Sequence, residues 1–274
     1  MARKVKTKTA IVTGASKGLG LRIAKTLAKK KYNVAICSRH LDELKRAKKI
    51  IESYGVKCLA LKTDVSNYNQ CKSLVKKTIR TFSRIDLLVN NAGIIGPIGN
   101  LWKNNLKDWE NTIKINLLGT VNMCHLVVPY MLKQKNGIII NLSGGGGAYG
   151  RPLFGAYACS KTTVLRLTET LADELKGTNI NIFALAPGAT WTEMAKETLK
   201  KGKLDKKNVK ELKAIQKTGG TPVEKLEKLV LFLVSKRAKK LSGKLVHVQE
   251  LNKITKRITG ITQESGLLRR VNYI

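Results

Sequence analysis

At 274 residues and 43% hydrophobic composition, the chain can bury a sizeable α/β core, and none of its apolar runs nears the roughly 18 residues of a membrane helix. The five cysteines (Cys37, Cys58, Cys71, Cys124, Cys159) form no C-x-x-C pair, and His40, His125 and His247 are isolated, which excludes the usual disulfide frameworks and zinc sites; no metal is expected. The 52 Lys and Arg against 18 Asp and Glu give a net charge of +34, but the lysines are dispersed, which favours solvated helix faces over a nucleic-acid site.

In chain order, a basic start (Arg3, Lys4, Lys6, Lys8) meets a short strand at Thr9–Thr13. Its apolar stretch is too brief for a signal peptide, so a cytoplasmic protein is expected. The strand runs straight into Thr13-Gly14-Ala15-Ser16-Lys17-Gly18-Leu19-Gly20 and a helix over Leu19–Lys30. Glycines permit the tight turn and close approach to a pyrophosphate, and the helix N-terminus supplies N–H donors and positive potential. Gly14, Ser16, Lys17, Gly18, Leu19 and Gly20 are therefore the expected phosphate cradle.

The second strand, Asn33–Ser38, ends at Arg39, 19 residues after Gly20. Sites that prefer an unphosphorylated ribose carry an acidic residue about 20 positions past the loop. Arg39 in that neighbourhood, Lys17 in the loop and no carboxylate before Asp42 predict binding of a 2′-phosphate, hence NADP(H) over NAD(H). A helix over Asp42–Ser53, a strand at Lys57–Leu61, a helix over Asn67–Phe82, a strand at Asp86–Asn90 and a long helix over Leu106–Lys133 follow.

The fifth strand, Gly137–Leu142, ends at Ser143, whose hydroxyl could hold a substrate oxygen. Fourteen residues on, Tyr157 and Lys161 share one face of a helix over Gly155–Lys176. An ammonium beside a phenol stabilises the phenolate, so Lys161 is expected to lower the Tyr157 pKa and make it a general acid and base. After the strand Ile180–Leu185, the lysine-rich excursion 189–217 leaves a strand's carboxyl end and is expected to be a substrate lid. A helix over Pro222–Ser235 follows, with Thr221 as N-cap and Pro222 at its first position. A last strand at Lys244–Gln249 and a C-terminal extension over 250–274, including Leu267-Leu268-Arg269-Arg270, complete the chain. The alternation predicts a single domain over 1–274: an α/β, three-layer, Rossmann-like, doubly wound parallel sheet of about seven strands.

These residues resemble the short-chain dehydrogenase/reductases of the classical type. The resemblance rests on Thr13-Gly14-x-x-x-Gly18-x-Gly20, Asp64-Val65, Asn90-Asn91-Ala92-Gly93, Asn116, Ser143, Tyr157-x-x-x-Lys161 and Pro187-Gly188, and covers about Thr9 to Gln249. It implies hydride transfer between a nicotinamide and a small carbonyl or alcohol substrate, by a homodimer or homotetramer. It assigns acid/base catalysis to Tyr157, pKa control and ribose binding to Lys161, carbonyl polarisation to Ser143, and a proton-relay water to Asn116. Asp64 and Val65 would contact the adenine; Asn91, Ala92 and Gly93 would back the ribose. Pro187, Gly188, Thr190 and Thr192 would face the nicotinamide. Tyr149, Arg151, Phe154 and Trp191 are candidate pocket walls. The run Gly144 to Gly147 has more glycines than the fatty-acid-synthesis reductases of this family usually carry, which points to a wider pocket or a looser loop. Two alternatives stand beside this reading: a 3-oxoacyl-carrier-protein-type reductase, and a polyanion- or RNA-binding protein that uses its basic surface.

Overall fold

The structure, a computed structural model, describes residues 7–144, 146–201 and 204–257. The basic start at Arg3, Lys4 and Lys6, and the tail at Leu267-Leu268-Arg269-Arg270, lie outside the described residues.

In chain order the elements are β1 (Thr9–Thr13), α1 (Gly18–Lys29), β2 (Asn33–Ser38), α2 (Leu41–Glu52), β3 (Cys58–Lys62), α3 (Tyr68–Phe82), β4 (Leu87–Asn90), α4 (Leu106–Ile113), α5 (Gly119–Gln134), β5 (Gly137–Leu142), α6 (Gly155–Glu174), β6 (Ile180–Ala186), α7 (Glu193–Lys200), α8 (Lys206–Thr218), α9 (Val223–Leu233), β7 (Leu245–His247) and α10 (Leu251–Arg257). The strands form a parallel sheet in the order β3-β2-β1-β4-β5-β6-β7, flanked by helices, as the alternation predicts. The order reverses between β1 and β4, which is where open α/β sheets of this kind place their ligands.

Packing divides the chain into two compact units. The first comprises Met1–Ala92, Leu118–Ile139 and Thr178–Ile180. Here β1 pairs with β2 from Thr9 opposite Asn33 to Thr13 opposite Cys37, and with β4 from Ala10 opposite Leu87 to Val12 opposite Val89. Ile11, Val12, Ile36, Leu88 and Val89 are fully buried, so these strands read as continuous apolar runs, as strands covered on both faces do. Asn67 caps α3 by accepting the Gln70 N–H at 3.1 Å.

The second unit comprises Gly93–Leu117, Ile140–Gly177 and Asn181–Ile274. It holds α4 packed on α6, and β6 paired with β7. Ile95, Ile98, Phe154 and Tyr157 form a buried cluster against which Leu153, Met194 and Leu204 pack.

Three expectations need correction. The helix expected over Leu106–Lys133 is helical throughout but irregular: a π-turn, Lys114–Leu118, separates α4 from α5. This run, Leu106–Gln134, is also long and apolar enough to cross a membrane by length and composition, although no unbroken apolar run in the sequence is. Of its most apolar window, 44% is buried inside the protein. Pro222 is the N-cap of α9 rather than its first residue. Its ψ of 137° is extended, and Thr221 is held before it by donating its N–H to the Ala189 carbonyl at 2.6 Å. Finally, β7 stops at His247, whose Nδ1 accepts the Gln249 N–H at 3.2 Å and draws Val248–Glu250 into a 3-10 turn.

Candidate active site

In the first unit the glycine loop is locked by the two residues that follow β4. Thr13 Oγ1 accepts the N–H groups of Asn91 and Ala92, each at 3.0 Å. Asn91 Nδ2 donates to the carbonyls of Thr13 at 2.9 Å and Gly14 at 3.0 Å. Gly14 (φ 62°) and Gly18 (φ 59°) occupy the left-handed region that favours glycine. Gly20 is required for a different reason: a Cβ there would collide with the Gly14 carbonyl oxygen and come within 2.5 Å of Asn91 Nδ2. At Gly18 a Cβ would meet nothing within 4 Å, so this turn of backbone faces open space. No side chain caps α1, which leaves its first N–H groups available there. The loop thus fits an anionic phosphate group.

One residue of this region carries no signal in the local sequence pattern. Glu43, in the first turn of α2, accepts from Lys17 Nζ at 2.9 Å through Oε1 and from Ser16 Oγ at 2.8 Å through Oε2. Burial works to raise the Glu43 pKa, but the hydrogen bonds from Lys17 and Ser16 outweigh it and hold the carboxyl below its ordinary value. A carboxylate therefore does reach the loop, and Lys17 is an engaged cation. Arg39, by contrast, is exposed and has no ion-pair partner among the described residues. Topology is the clue that finds Glu43: a helix that follows β2 starts beside the loop that follows β1, because β1 and β2 are paired and parallel.

In the second unit, α6 places Tyr157 and Lys161 one turn apart, with Lys161 Nζ 5.8 Å from the Tyr157 ring centroid. Lys161 is buried and donates to the Leu142 carbonyl at 2.8 Å. Burial pushes its pKa down to about 8. Burial also raises the Tyr157 phenol above its ordinary value, against a lowering by Arg151. The expected depression of Tyr157 by Lys161 is thus corrected: desolvation of the phenol dominates, and it disfavours the phenolate.

Ser143 Oγ is buried and finds no hydrogen-bond partner among the described residues. Two glycines clear the hydroxyls of this region: a Cβ at Gly147 would sit 2.6 Å from Ser143 Oγ, and one at Gly144 would collide with Tyr157 Oη. These two are space-makers for named side chains. Gly145, in the middle of the run, lies outside the described residues.

Asn116 lies fully buried on the π-turn, a deformation frequent at functional sites. Its Oδ1 accepts the Ile94 N–H at 2.8 Å, and its Nδ2 donates to the Ile94 carbonyl and to Ser160 Oγ, both at 2.9 Å. Ser160 in turn donates to the Tyr157 carbonyl at 2.7 Å, which links Asn116 to the helix that carries Tyr157. A Cβ at Gly93 would lie 3.1 Å from Asn116 Oδ1 and 3.5 Å from Lys161 Nζ.

The remaining predicted residues divide. Asp64 Oδ1 accepts from Ser66 N and Oγ, forming a local turn, and Val65 is buried against Gly119. Pro187 is buried, and Gly188 (φ 73°) leaves room that Thr221 Oγ1 fills. Thr190 bridges to Gly220, and Thr192 Oγ1 caps α7 by accepting the Ala195 N–H at 3.3 Å. Trp191 is half-buried, Tyr149 is exposed, and the Arg151 guanidinium lies 4.0 Å from the Phe154 ring centroid. Phe154 itself is fully buried beside Tyr157, so it supports the site from the core and is no pocket wall. Burial pushes the thiols of Cys37, Cys58, Cys71 and Cys124 up to about 12, which disfavours the nucleophilic thiolate.

A family profile described as short chain dehydrogenase matches residues 8–203. The chain belongs to the short-chain dehydrogenase family. Curated relatives within this family of oxidoreductases include the 3-oxoacyl-(acyl-carrier-protein) reductase of Staphylococcus epidermidis, 34% identical over 88% of this chain and 97% of the relative. The enzyme of the same name from Thermotoga maritima is 33% identical over 89% of this chain and 97% of its own. Among solved short-chain dehydrogenase structures, a levodione reductase superposes with a TM-score of 0.80 at 28% identity, covering 88% of this chain and 95% of its own. An actinorhodin polyketide ketoreductase with NADPH gives a TM-score of 0.80 at 26% identity, with the same coverage of 88% and 95%. An NAD⁺-bound xylitol dehydrogenase gives 0.79 at 27% identity, covering 89% and 98%.

Proposed function

We propose that this short-chain dehydrogenase interconverts a carbonyl and a secondary alcohol with NADP(H), using Tyr157, Lys161, Ser143 and Asn116. The observation that carries the reading is the buried, unpartnered Ser143 hydroxyl, in the same unit as Tyr157 and Lys161 and kept clear by the glycine at 147. A buried hydroxyl without a partner is costly and is explained when a ligand oxygen completes it.

In this reading the nicotinamide, when bound, supplies or accepts the hydride. Ser143 Oγ donates a hydrogen bond to the substrate oxygen and orients it. Tyr157 Oη gives its proton to that oxygen during reduction and takes it back during oxidation. Lys161 carries a mobile proton at a pKa of about 8, suited to re-protonating Tyr157 near neutral pH. The side-chain amide of Asn116 is committed to Ile94 and Ser160, so it fixes the local backbone. A relay water is assigned to the backbone around it. The phosphates are assigned to the glycine loop and the α1 N-terminus, with Arg39 as the cation for the 2′-phosphate. Asp64, Val65, Asn91, Ala92, Gly93, Pro187, Gly188, Thr190 and Thr192 are assigned to the rest of the dinucleotide. Tyr149, Arg151 and Trp191 are assigned to the pocket mouth, with 189–217 as its lid.

The curated relatives favour a narrower version, reduction of a 3-oxoacyl group on an acidic carrier protein, toward which the charge of +34 would steer encounter. We read the two units as one dehydrogenase domain, because the family profile crosses both. The free thiols fit a reducing cytoplasm, and a homodimer or homotetramer is proposed by likeness to the family. The test is a panel of ketones and 3-oxoacyl thioesters followed by NADPH and NADH oxidation. Turnover of a 3-oxoacyl thioester with NADPH is expected. Absence of turnover on every carbonyl offered would overturn the reading.

A further inference from the structure

Beside Lys17, one of the two cations the sequence offers a 2′-phosphate, the structure sets an acid. Both Glu43 carboxylate oxygens are spent on the glycine loop, one on Lys17 Nζ at 2.9 Å and the other on Ser16 Oγ at 2.8 Å. Asp42, its neighbour in sequence, points elsewhere and pairs with Lys45 at 3.7 Å. Of the two cations the sequence offers a 2′-phosphate, Lys17 is therefore neutralised and Arg39 stands free.

We propose that Glu43 is a specificity-determining residue, an acidic counterweight that narrows the preference for the 2′-phosphorylated dinucleotide. This rests on the cofactor assignment made under the proposed function. A 2′-phosphate must draw Lys17 and Ser16 away from Glu43, or accept a neighbouring carboxylate of like charge. A 2′-hydroxyl meets no such competition, and it can donate to a carboxylate, as ribose hydroxyls do in sites that take the unphosphorylated cofactor. The Lys17 and Glu43 side chains keep 48% and 24% of their exposure, so the competition is partly screened and its effect is modest. The chain is then able to use both cofactors, with Arg39 tilting the balance one way and Glu43 the other.

The test compares adenosine 2′,5′-bisphosphate with adenosine 5′-monophosphate by calorimetry on the full chain. For Glu43→Gln we expect the bisphosphate to bind about 2- to 5-fold tighter and the monophosphate to bind no tighter, a scale set by release of one partly exposed ion pair. Glu43→Ala should give the same change, and supplies the measurement if the amide variant melts early. In a Lys17→Ala background the gain should shrink, since there is no cation left to release. Equal changes for the two ligands would make Glu43 a brace of the loop and overturn the proposal. So would an unchanged ratio. If wild type binds neither ligand, the cofactor assignment itself fails, a result distinct from an unchanged ratio between two bound ligands.

Discussion

Between Thr13 and Gly20 the polar side chains are held by the protein's own groups, while the first N–H groups of α1 stay open. Thr13 Oγ1 takes two N–H groups, Asn91 Nδ2 serves two carbonyls, and Ser16 and Lys17 are both held by Glu43. Between Ser143 and Lys161 two groups are held on less favourable terms. Ser143 Oγ is buried without a partner, and Lys161 sits where its charge is disfavoured. Leu153, just before α6, even adopts a left-handed φ of 67°. A phosphate cradle works through backbone shape, so it gains from being over-determined. On the proposed reading, the second region transfers protons through groups whose second state must stay within reach, so it keeps polar capacity and perturbed pKa values at a cost in stability.

The largest effect that could break this contrast belongs to Tyr157. Tyr157→Phe should reduce turnover by about 10²- to 10⁴-fold, the range of a lost general acid, with dinucleotide affinity and Tm nearly unchanged. Retained turnover in steady-state assays would remove Tyr157 from the chemistry.

Next comes the stability cost of Lys161. Its pKa is about 8 in the folded protein against 10.5 as the ordinary value. Below pH 8 the lysine is protonated in both states, and its burial cost is borne in full. As pH rises from about 8 to 10.5 the folded state sheds the proton first, and the cost is relieved. Relative to Lys161→Met, wild type should gain on the order of 3 kcal/mol across that window, at ~1.4 kcal/mol for each pH unit separating the folded and unfolded values. Denaturant melts at both ends of the window measure this; a constant difference would show that Lys161 titrates normally.

The smallest effects sharpen the comparison most, because the same substitution is made in both regions. Gly20→Ala drives a methyl into the Gly14 carbonyl, and should cost about 1–3 kcal/mol of stability together with dinucleotide affinity. In Gly144→Ala the nearest atoms to the new methyl are Oη, Cζ and Cε1 of the Tyr157 side chain. It should lower kcat by about 10-fold, as expected when a proton donor is misplaced, while Tm stays close to wild type. Thermal melts and kcat on the two variants should therefore respond in opposite order.

The legible parts of this molecule were those written in short-range pattern. β1, β2 and β5 begin and end where the apolar runs do, since fully buried strands have no reason to interrupt them. The glycine loop and the Tyr157–Lys161 spacing were equally plain. What escaped depends on events with no periodic signature. The π-turn at Lys114–Leu118 sits inside a pattern that reads as one helix, because a single extra residue barely disturbs an apolar average. The engagement of Lys17 by Glu43 joins residues 26 apart through the pairing of β1 with β2, and a count of local charges cannot register it. The direction in which the Tyr157 pKa moves turned on burial, which the spacing of two side chains does not reveal.

The π-turn also bears on attempts to engineer this chain. A regular helix is the usual target when a protein is redesigned for heat resistance, and deleting one residue from Lys114–Leu118 would produce one. Each residue of an α-helix turns the chain by about 100°. The deletion would swing Asn116 away from Ile94 and Ser160, the partners that hold it now. The irregular turn is thus a place where a more ideal helix would undo the bonds that hold Asn116, and a consensus-minded designer should leave it as it is.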